Sequence, residues 1–247
     1  MSEVFSKVEA FTFHIESYQC DFNEKVRLAG IINHLLDAST EHAEKRGFGY
    51  TSLKEDGKAW VLSRLAIEIY EYPKIETNLT VKTWVESVCR TFTHRCFSIH
   101  DDDGKAIGYA KSIWAAIDMQ TRKPVIILDL RPDLNNYIDS NTDCPIDDPT
   151  KIPVVTENAY SSFTVRYNDI DINKHVNSVR YIEHIMDTFE MSYFSNKNIR
   201  KFEIAYLAES TFGDELTIHK HESEADEFLF EIKNNTTSVC RSRLCWK

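Results

Sequence analysis

Asp21-Phe22-Asn23-Glu24-Lys25-Val26 is followed by Ile31-Ile32-Asn33-His34-Leu35-Leu36-Asp37, and 150 positions later Asp171-Ile172-Asn173-Lys174-His175-Val176 is followed by Tyr181-Ile182-Glu183-His184-Ile185-Met186-Asp187. Two shorter matches flank this pair in the same order. Phe11-Thr12-Phe13 lies over Phe163-Thr164-Val165 at an offset of 152, and Leu79-Thr80-Val81 over Leu216-Thr217-Ile218 at 137. Each match alone is weak; together they indicate a duplicated unit, and a repeat decides an architecture before any motif does.

Each copy shows one plan. A short alternating strand leads into an Asp-x-Asn loop and then an apolar-periodic segment: Leu28, Ile31, Ile32, Leu35 and Leu36 in the first copy, Val179, Tyr181, Ile182, Ile185 and Met186 in the second. That spacing predicts a helix with most of its circumference buried. Four strands are expected after it, roughly at 59–72, 77–88, 92–101 and 106–118, and again at 201–210, 214–223, 226–234 and 237–246. The turns Asp101-Asp102-Asp103-Gly104 and Asn234-Asn235 mark hairpins. One helix with a run of antiparallel strands is an α+β plan, and a lone apolar helix is buried if a curved sheet wraps it. Residues 139–158, rich in Asp, Pro, Thr and Asn, read as a linker between domains 1–138 and 159–247.

Composition narrows the function. The 247 residues are 42% apolar and 28% charged, as in a soluble globular protein, and the net charge of −10 disfavours non-specific nucleic-acid binding. The six cysteines form no CxxC pair, which removes support for zinc or thioredoxin-like sites. No apolar run is long enough to span a membrane and the N-terminus is not a signal peptide, so a cytoplasmic protein with reduced thiols is expected.

The densest polar cluster is Asn168-Asp169-Ile170-Asp171-Ile172-Asn173-Lys174-His175-Val176-Asn177. If the segment stays extended, alternation sends Asp169, Asp171, Asn173, His175 and Asn177 to one side. An EF-hand is excluded, because Lys174 stands where glycine is needed and Arg180 where the bidentate glutamate belongs. Helix capping accounts for Asp169 or Asn177 singly but not for His175 among them. A histidine beside a carboxylate and an amide at a helix start suits polarising a carbonyl. His219 and His221 could form a metal pair, but no third ligand is in view, so they read as a solvated face.

Asp171-Ile-Asn173-Lys-His175-Val-Asn177-Ser-Val-Arg-Tyr181 resembles the D-x-N-x-H-V-N-x-V-x-Y segment of acyl-ACP (acyl carrier protein) thioesterases of the FatA/FatB type. The resemblance extends to Ile67-Glu-Ile-Tyr-Glu-Tyr-Pro73, to Thr83-Trp84-Val-Glu and to Thr121-Arg122, and so runs over nearly the whole chain. It implies a tandem hotdog fold, each half a curved antiparallel sheet wrapped around a central helix. It also implies hydrolysis of fatty acyl-ACP to free fatty acid and holo-ACP in fatty acid biosynthesis. The family's catalytic residues fall on Asp171, Asn173, His175 and, in a Y-x-x-E-C strand matched by Tyr206-Leu-Ala-Glu209-Ser210, on Glu209. Ser210 stands where the family has cysteine, so attack by water assisted by Glu209 is preferred to a thiol mechanism.

On this reading His175 assists proton transfer with Asp171 orienting its ring, while Asn173 and the N–H groups of Val176 and Asn177 hold the oxyanion. No metal or cofactor is required. The first copy has Lys25 and Tyr72 in place of His175 and Glu209. It would shape the acyl pocket, with Leu36, Trp60, Ile67, Ile69, Trp84 and Trp114 as candidate lining. Lys174, Arg180, Arg200 and Lys201, with Arg90, Arg95, Arg122 and Lys123, are candidate cations for docking the acidic carrier. An acyl-CoA thioesterase, an enoyl-thioester hydratase and a non-catalytic acyl-binding module remain the alternatives, and the sequence leaves a homodimer open.

Overall fold

The computed structural model describes residues 5–247. The chain begins with β1 (Glu9–His14), α1 (Leu28–Lys45), α2 (Tyr50–Glu55), β2 (Lys58–Ile69), β3 (Asn78–Cys89), β4 (Phe92–His100), β5 (Ala106–Asp118) and α3 (Ile127–Leu130). It continues with β6 (Ala159–Thr164), α4 (Ser178–Met186), α5 (Met191–Asn196), β7 (Ile199–Tyr206), β8 (Glu215–Glu224), β9 (Glu227–Asn234) and β10 (Thr237–Trp246). Residue contacts divide it between Asp148 and Pro149 into two compact units, with Arg64–Glu68 of β2 grouped in the second, where they pair antiparallel with β7.

The two units share one topology. Strand order is β1-β3-β4-β5-β2 in the first and β6-β8-β9-β10-β7 in the second. In the first, α1 buries Leu28, Ile31, Ile32, Leu35 and Ala38 and keeps Asn33, Asp37, Thr40 and Glu41 exposed, so a narrow polar stripe interrupts an otherwise apolar surface. α4 does the same over nine residues, burying Val179, Tyr181, Ile182 and Ile185. A helix set in an antiparallel sheet, twice over, is the expected tandem hotdog architecture.

Hydrogen bonds show that the copies match bond for bond around their Asp loops. Ile15 N–H donates to Thr77 O at 2.9 Å and Val165 N–H to Asp214 O at 2.9 Å; Val26 N–H donates to Pro73 O at 3.0 Å and Val176 N–H to Ser210 O at 2.9 Å. Phe13 stacks on His34 with ring centroids 4.5 Å apart, and Phe163 stacks on His184 at 3.6 Å. Phe13 pairs with Leu79 and Phe163 with Leu216, which makes the true strand offset 150, not the 152 read from Phe11-Thr12-Phe13. The two-residue slip keeps the same sheet face and therefore looked equivalent in sequence.

Two expectations change. Residues 139–158 contain no helix or strand, yet they are packed. Cys144 and Ile146 cover Trp84 and Cys96, while Thr150 and Val155 donate backbone N–H groups to the buried carboxylates of Glu203 at 3.3 Å and Glu231 at 3.0 Å. Trp84, a candidate for the acyl pocket, therefore faces this segment, whereas its neighbour Val85 clusters with Ala43 and Phe48 on the α1 side.

Candidate active site

The polar cluster is a loop, not an extended run. After β6 the chain makes a short 3-10 turn at Tyr167–Asp169 and then closes on Asp171. Asp171 Oδ1 accepts from Asn173 N–H at 2.8 Å and His175 N–H at 3.2 Å, and Asp171 N–H returns to His175 O at 2.8 Å. Lys174 occupies the tip with φ 67°, a left-handed conformation that reverses the chain. Asn177 caps α4, its Oδ1 accepting from Val179 N–H at 2.9 Å. The turn breaks the alternation: Asp169 is buried while Asn173 and Asn177 are exposed.

The bond from Val176 N–H to Ser210 O ties this loop to the segment after β7. It sets the two preceding residues side by side, and His175 Nε2 lies 3.5 Å from Glu209 Oε2, with 29% and 42% of the side chains exposed. Glu209 is not in a strand. β7 ends at Tyr206, and Leu207 and Ala208 both donate to Val239 O, at 2.8 and 3.1 Å, turning the chain so that Glu209 reaches the loop. A solvent-reachable carboxylate beside an imidazole can take a proton from a water molecule and pass one to a leaving group.

Three role assignments are corrected. The N–H groups of Val176 and Asn177 are not open to an oxyanion: the first donates to Ser210 O and the second to Asp169 O at 2.8 Å. The side-chain amide of Asn173 is an exposed donor on the loop and contacts Asp171 Oδ2 at 3.3 Å. Asp171 spends its carboxylate on loop backbone and on Asn173, so it shapes the loop and does not orient the His175 ring. Asp21 accepts the same bonds, from Asn23 N–H at 2.8 Å and Lys25 N–H at 3.2 Å, in the copy that has lysine in place of His175.

Ser210 is buried, its hydroxyl beside the Tyr181 phenol without a hydrogen bond of ordinary geometry for either group. A buried hydroxyl next to an equally buried phenol is no nucleophile for an incoming thioester. Ser210→Ala is therefore expected to keep activity within about threefold, since the lost hydroxyl makes no hydrogen bond of ordinary geometry and leaves no partner unpaired. Trapping of an acyl-enzyme on Ser210 would contradict this.

In the first unit Tyr72 corresponds to Glu209, and burial, with the Asp21 charge nearby, holds its phenol well above the usual range. It stays neutral and supplies no base. Sequence reading missed the groups beneath the Asp171 loop. Asp169 Oδ2 accepts from Arg166 N–H at 2.7 Å, and Oδ1 accepts from Arg180 Nε at 3.1 Å and meets His184 Nε2 at 3.2 Å. Burial pushes the Asp169 carboxyl up, but these donors outweigh it and hold the group below the usual carboxylate range. Arg180 and His184, four positions apart and so on one helix face, were the signal in the sequence.

The remaining candidates do not assemble. His219 Nδ1 contacts Glu157 O at 2.7 Å and His221 Nδ1 contacts Glu157 Oε1 at 2.5 Å, so both rings hold the end of the 139–158 segment. Glu86, His94 and Asp148 approach one another in the first unit, but Lys111 Nζ already lies 3.5 Å from Glu86 and 3.0 Å from Asp148 and supplies the positive charge a metal would bring. Among the docking cations, Arg95 is buried, Arg180 is bound to Asp169 and Glu183, and Arg200 and Lys201 approach Glu68 at 3.6 and 3.9 Å. Lys174 is exposed at the loop tip.

Among the described residues, no helix is long and apolar enough to cross a membrane. Residues 6–131 match the acyl-ACP thioesterase N-terminal domain and residues 153–247 the acyl-ACP thioesterase C-terminal domain. The crystal structure of an acyl-ACP thioesterase from Bacteroides thetaiotaomicron is similar with a TM-score of 0.90 and 44% identity, covering 98% of both chains. The 12:0-ACP thioesterase from Umbellularia californica shares the fold, with a TM-score of 0.88 and 23% identity over 99% of each chain. The chloroplastic dodecanoyl-[acyl-carrier-protein] hydrolase of Cinnamomum camphora is 27% identical over 96% of this chain and 66% of its own length. The chain spans between 50% and 70% of the length of such curated plant relatives. Both halves of this chain, loop and helix included, place it in the acyl-ACP thioesterase family.

Proposed function

We propose that this protein hydrolyses fatty acyl thioesters carried on acyl carrier protein, releasing free fatty acid and the holo-carrier in fatty acid biosynthesis. The observation that supports this most directly is the His175–Glu209 contact at 3.5 Å on a loop shaped by Asp171 and bearing the Asn173 amide. Glu209 positions the attacking water and takes its proton. Asn173 steadies the thioester oxygen as charge develops on it. His175 delivers a proton to the departing thiolate as the carbon–sulfur bond breaks. The chemistry needs no metal or dissociable cofactor. The first unit, with Lys25 and Tyr72 at the equivalent positions, carries no acid/base pair and receives the acyl chain.

The test is incubation of the purified protein with acyl-ACP and acyl-CoA over a series of chain lengths, with free thiol as the readout. Thiol release is expected, faster from the carrier, and unchanged by a chelator. Binding without release would leave an acyl-binding module, and preference for the CoA thioester would make it an acyl-CoA thioesterase.

A further inference from the structure

The first unit is a natural control for the second. The two Asp loops, their closing bonds and the stacked Phe–His pairs are equivalent, so side chains that differ between the copies stand out against a constant backbone. Beneath the loop, Gln19 corresponds to Asp169 and Gly30 to Arg180. Gln19 Nε2 meets His34 Nε2 at 3.1 Å, and Gly30 leaves little room beside it, since a Cβ there would lie 3.0 Å from Val26 Cγ2 and 3.7 Å from Gln19 O. The neutral pair closes its loop with the same bond, Arg27 N–H to Gln19 O at 3.0 Å, that Asn177 N–H makes to Asp169 O at 2.8 Å.

The loop is thus closed in one copy with no charged side chain at the position of Asp169. The other copy places there an aspartate only 3% exposed, whose carboxylate is costly to bury even when paired. That charge sits in the copy that holds His175 and Glu209. From these differences we infer that Asp169, with Arg180 and His184, is a positioning network for the reaction: it holds α4 and the catalytic loop in the register that sets His175 against Glu209. The inference rests on the proposed hydrolysis at that pair.

The linkage is continuous. Arg180 and His184, one helical turn apart, are both gripped by Asp169 Oδ1, which fixes the rotation of α4 about its axis. The Asp169 carbonyl accepts from Asn177 N–H, and the preceding Val176 N–H donates to the Ser210 carbonyl next to Glu209. Glu183, which pairs with Arg180, and Phe163, stacked on His184, complete the groups around the carboxylate. A misplacement of about 1 Å between reacting groups costs ~10²-fold in rate, so a loosened register shows in kcat.

The test is the double variant Asp169→Gln/Arg180→Gly, which copies the first unit, assayed beside His175→Ala, Glu209→Ala and the milder Asp169→Asn. A folded double variant is expected, with kcat lowered ~10–100-fold, KM for the acyl thioester within about threefold, and the His175 ring resonances shifted in NMR spectra. Asp169→Asn, which keeps the shape and loses the charge, should fall between it and the wild type. Wild-type kcat in either folded variant would overturn the inference. A double variant that cannot fold would also overturn it, because the network would then be holding the fold. If the wild type releases no thiol, or His175→Ala and Glu209→Ala are as fast as it is, the hydrolytic reading itself fails, whatever Asp169 does.

Discussion

Glu209→Gln is expected to lower kcat by ~10²–10⁴-fold, the range for loss of an acid/base group. Glutamine keeps the shape and can still sit beside the imidazole, but it cannot accept the proton of an attacking water. The side chain is 42% exposed, so the melting temperature should barely move. His175→Ala should lose activity in the same range. If the two groups act as one unit, the double variant should be little slower than the worse single one, because residues that act together are not additive. Single-turnover rates on a fatty acyl thioester, read beside thermal melts, check both points. A folded Glu209→Gln protein at near wild-type rate would remove the carboxylate from the reaction.

Asp171→Ala is the second large effect, and it separates shape from charge. Its Oδ1 takes two backbone N–H groups of the loop, so truncation frees the segment that carries Asn173 and His175. A fall in kcat of ~10²-fold is expected from the lost placement. Asp171→Asn retains an accepting oxygen for both amides and should stay within about tenfold of wild type, as no step assigns the Asp171 charge to proton transfer. Asp21→Ala, the equivalent change in the first unit, should cost about 1 kcal/mol of stability, as for a lost capping bond, and leave kcat unchanged. Equal kcat losses in Asp171→Asn and Asp171→Ala would assign the charge a role in the chemistry.

Much of the architecture was legible because its signals are periodic and local. The hairpins around Asp101–Gly104 and Asn234–Asn235, and the apolar spacing of Ile31, Ile32 and Leu35, gave strands and helix within a few residues of where they lie. The six-residue helices Tyr50–Glu55 and Met191–Asn196 carry too few turns for a periodic signal. The site was legible as a list of residues and less so as roles. Alternation assumes extended backbone; the 3-10 turn at Tyr167–Asp169 puts Asp169 beneath the loop, and the left-handed Lys174 turns the tip that carries the exposed Asn173. Which N–H groups of Val176 and Asn177 remain open depends on long-range partners, Ser210 O in particular, that no local pattern encodes.

The Asp171 loop and its counterpart at Asp21 hold themselves in shape through their own main chain, with Lys174 at φ 67° and Glu24 at φ 60° turning each tip. Chemistry and foldability are therefore uncoupled at this place in the molecule. Positions 25 and 175, or 72 and 209, can exchange side chains without the segment having to find a new conformation. On the proposed hydrolysis at His175 and Glu209, one copy could fall silent through substitutions that the fold hardly registered, and the same tolerance leaves that copy open to acquiring a different reaction.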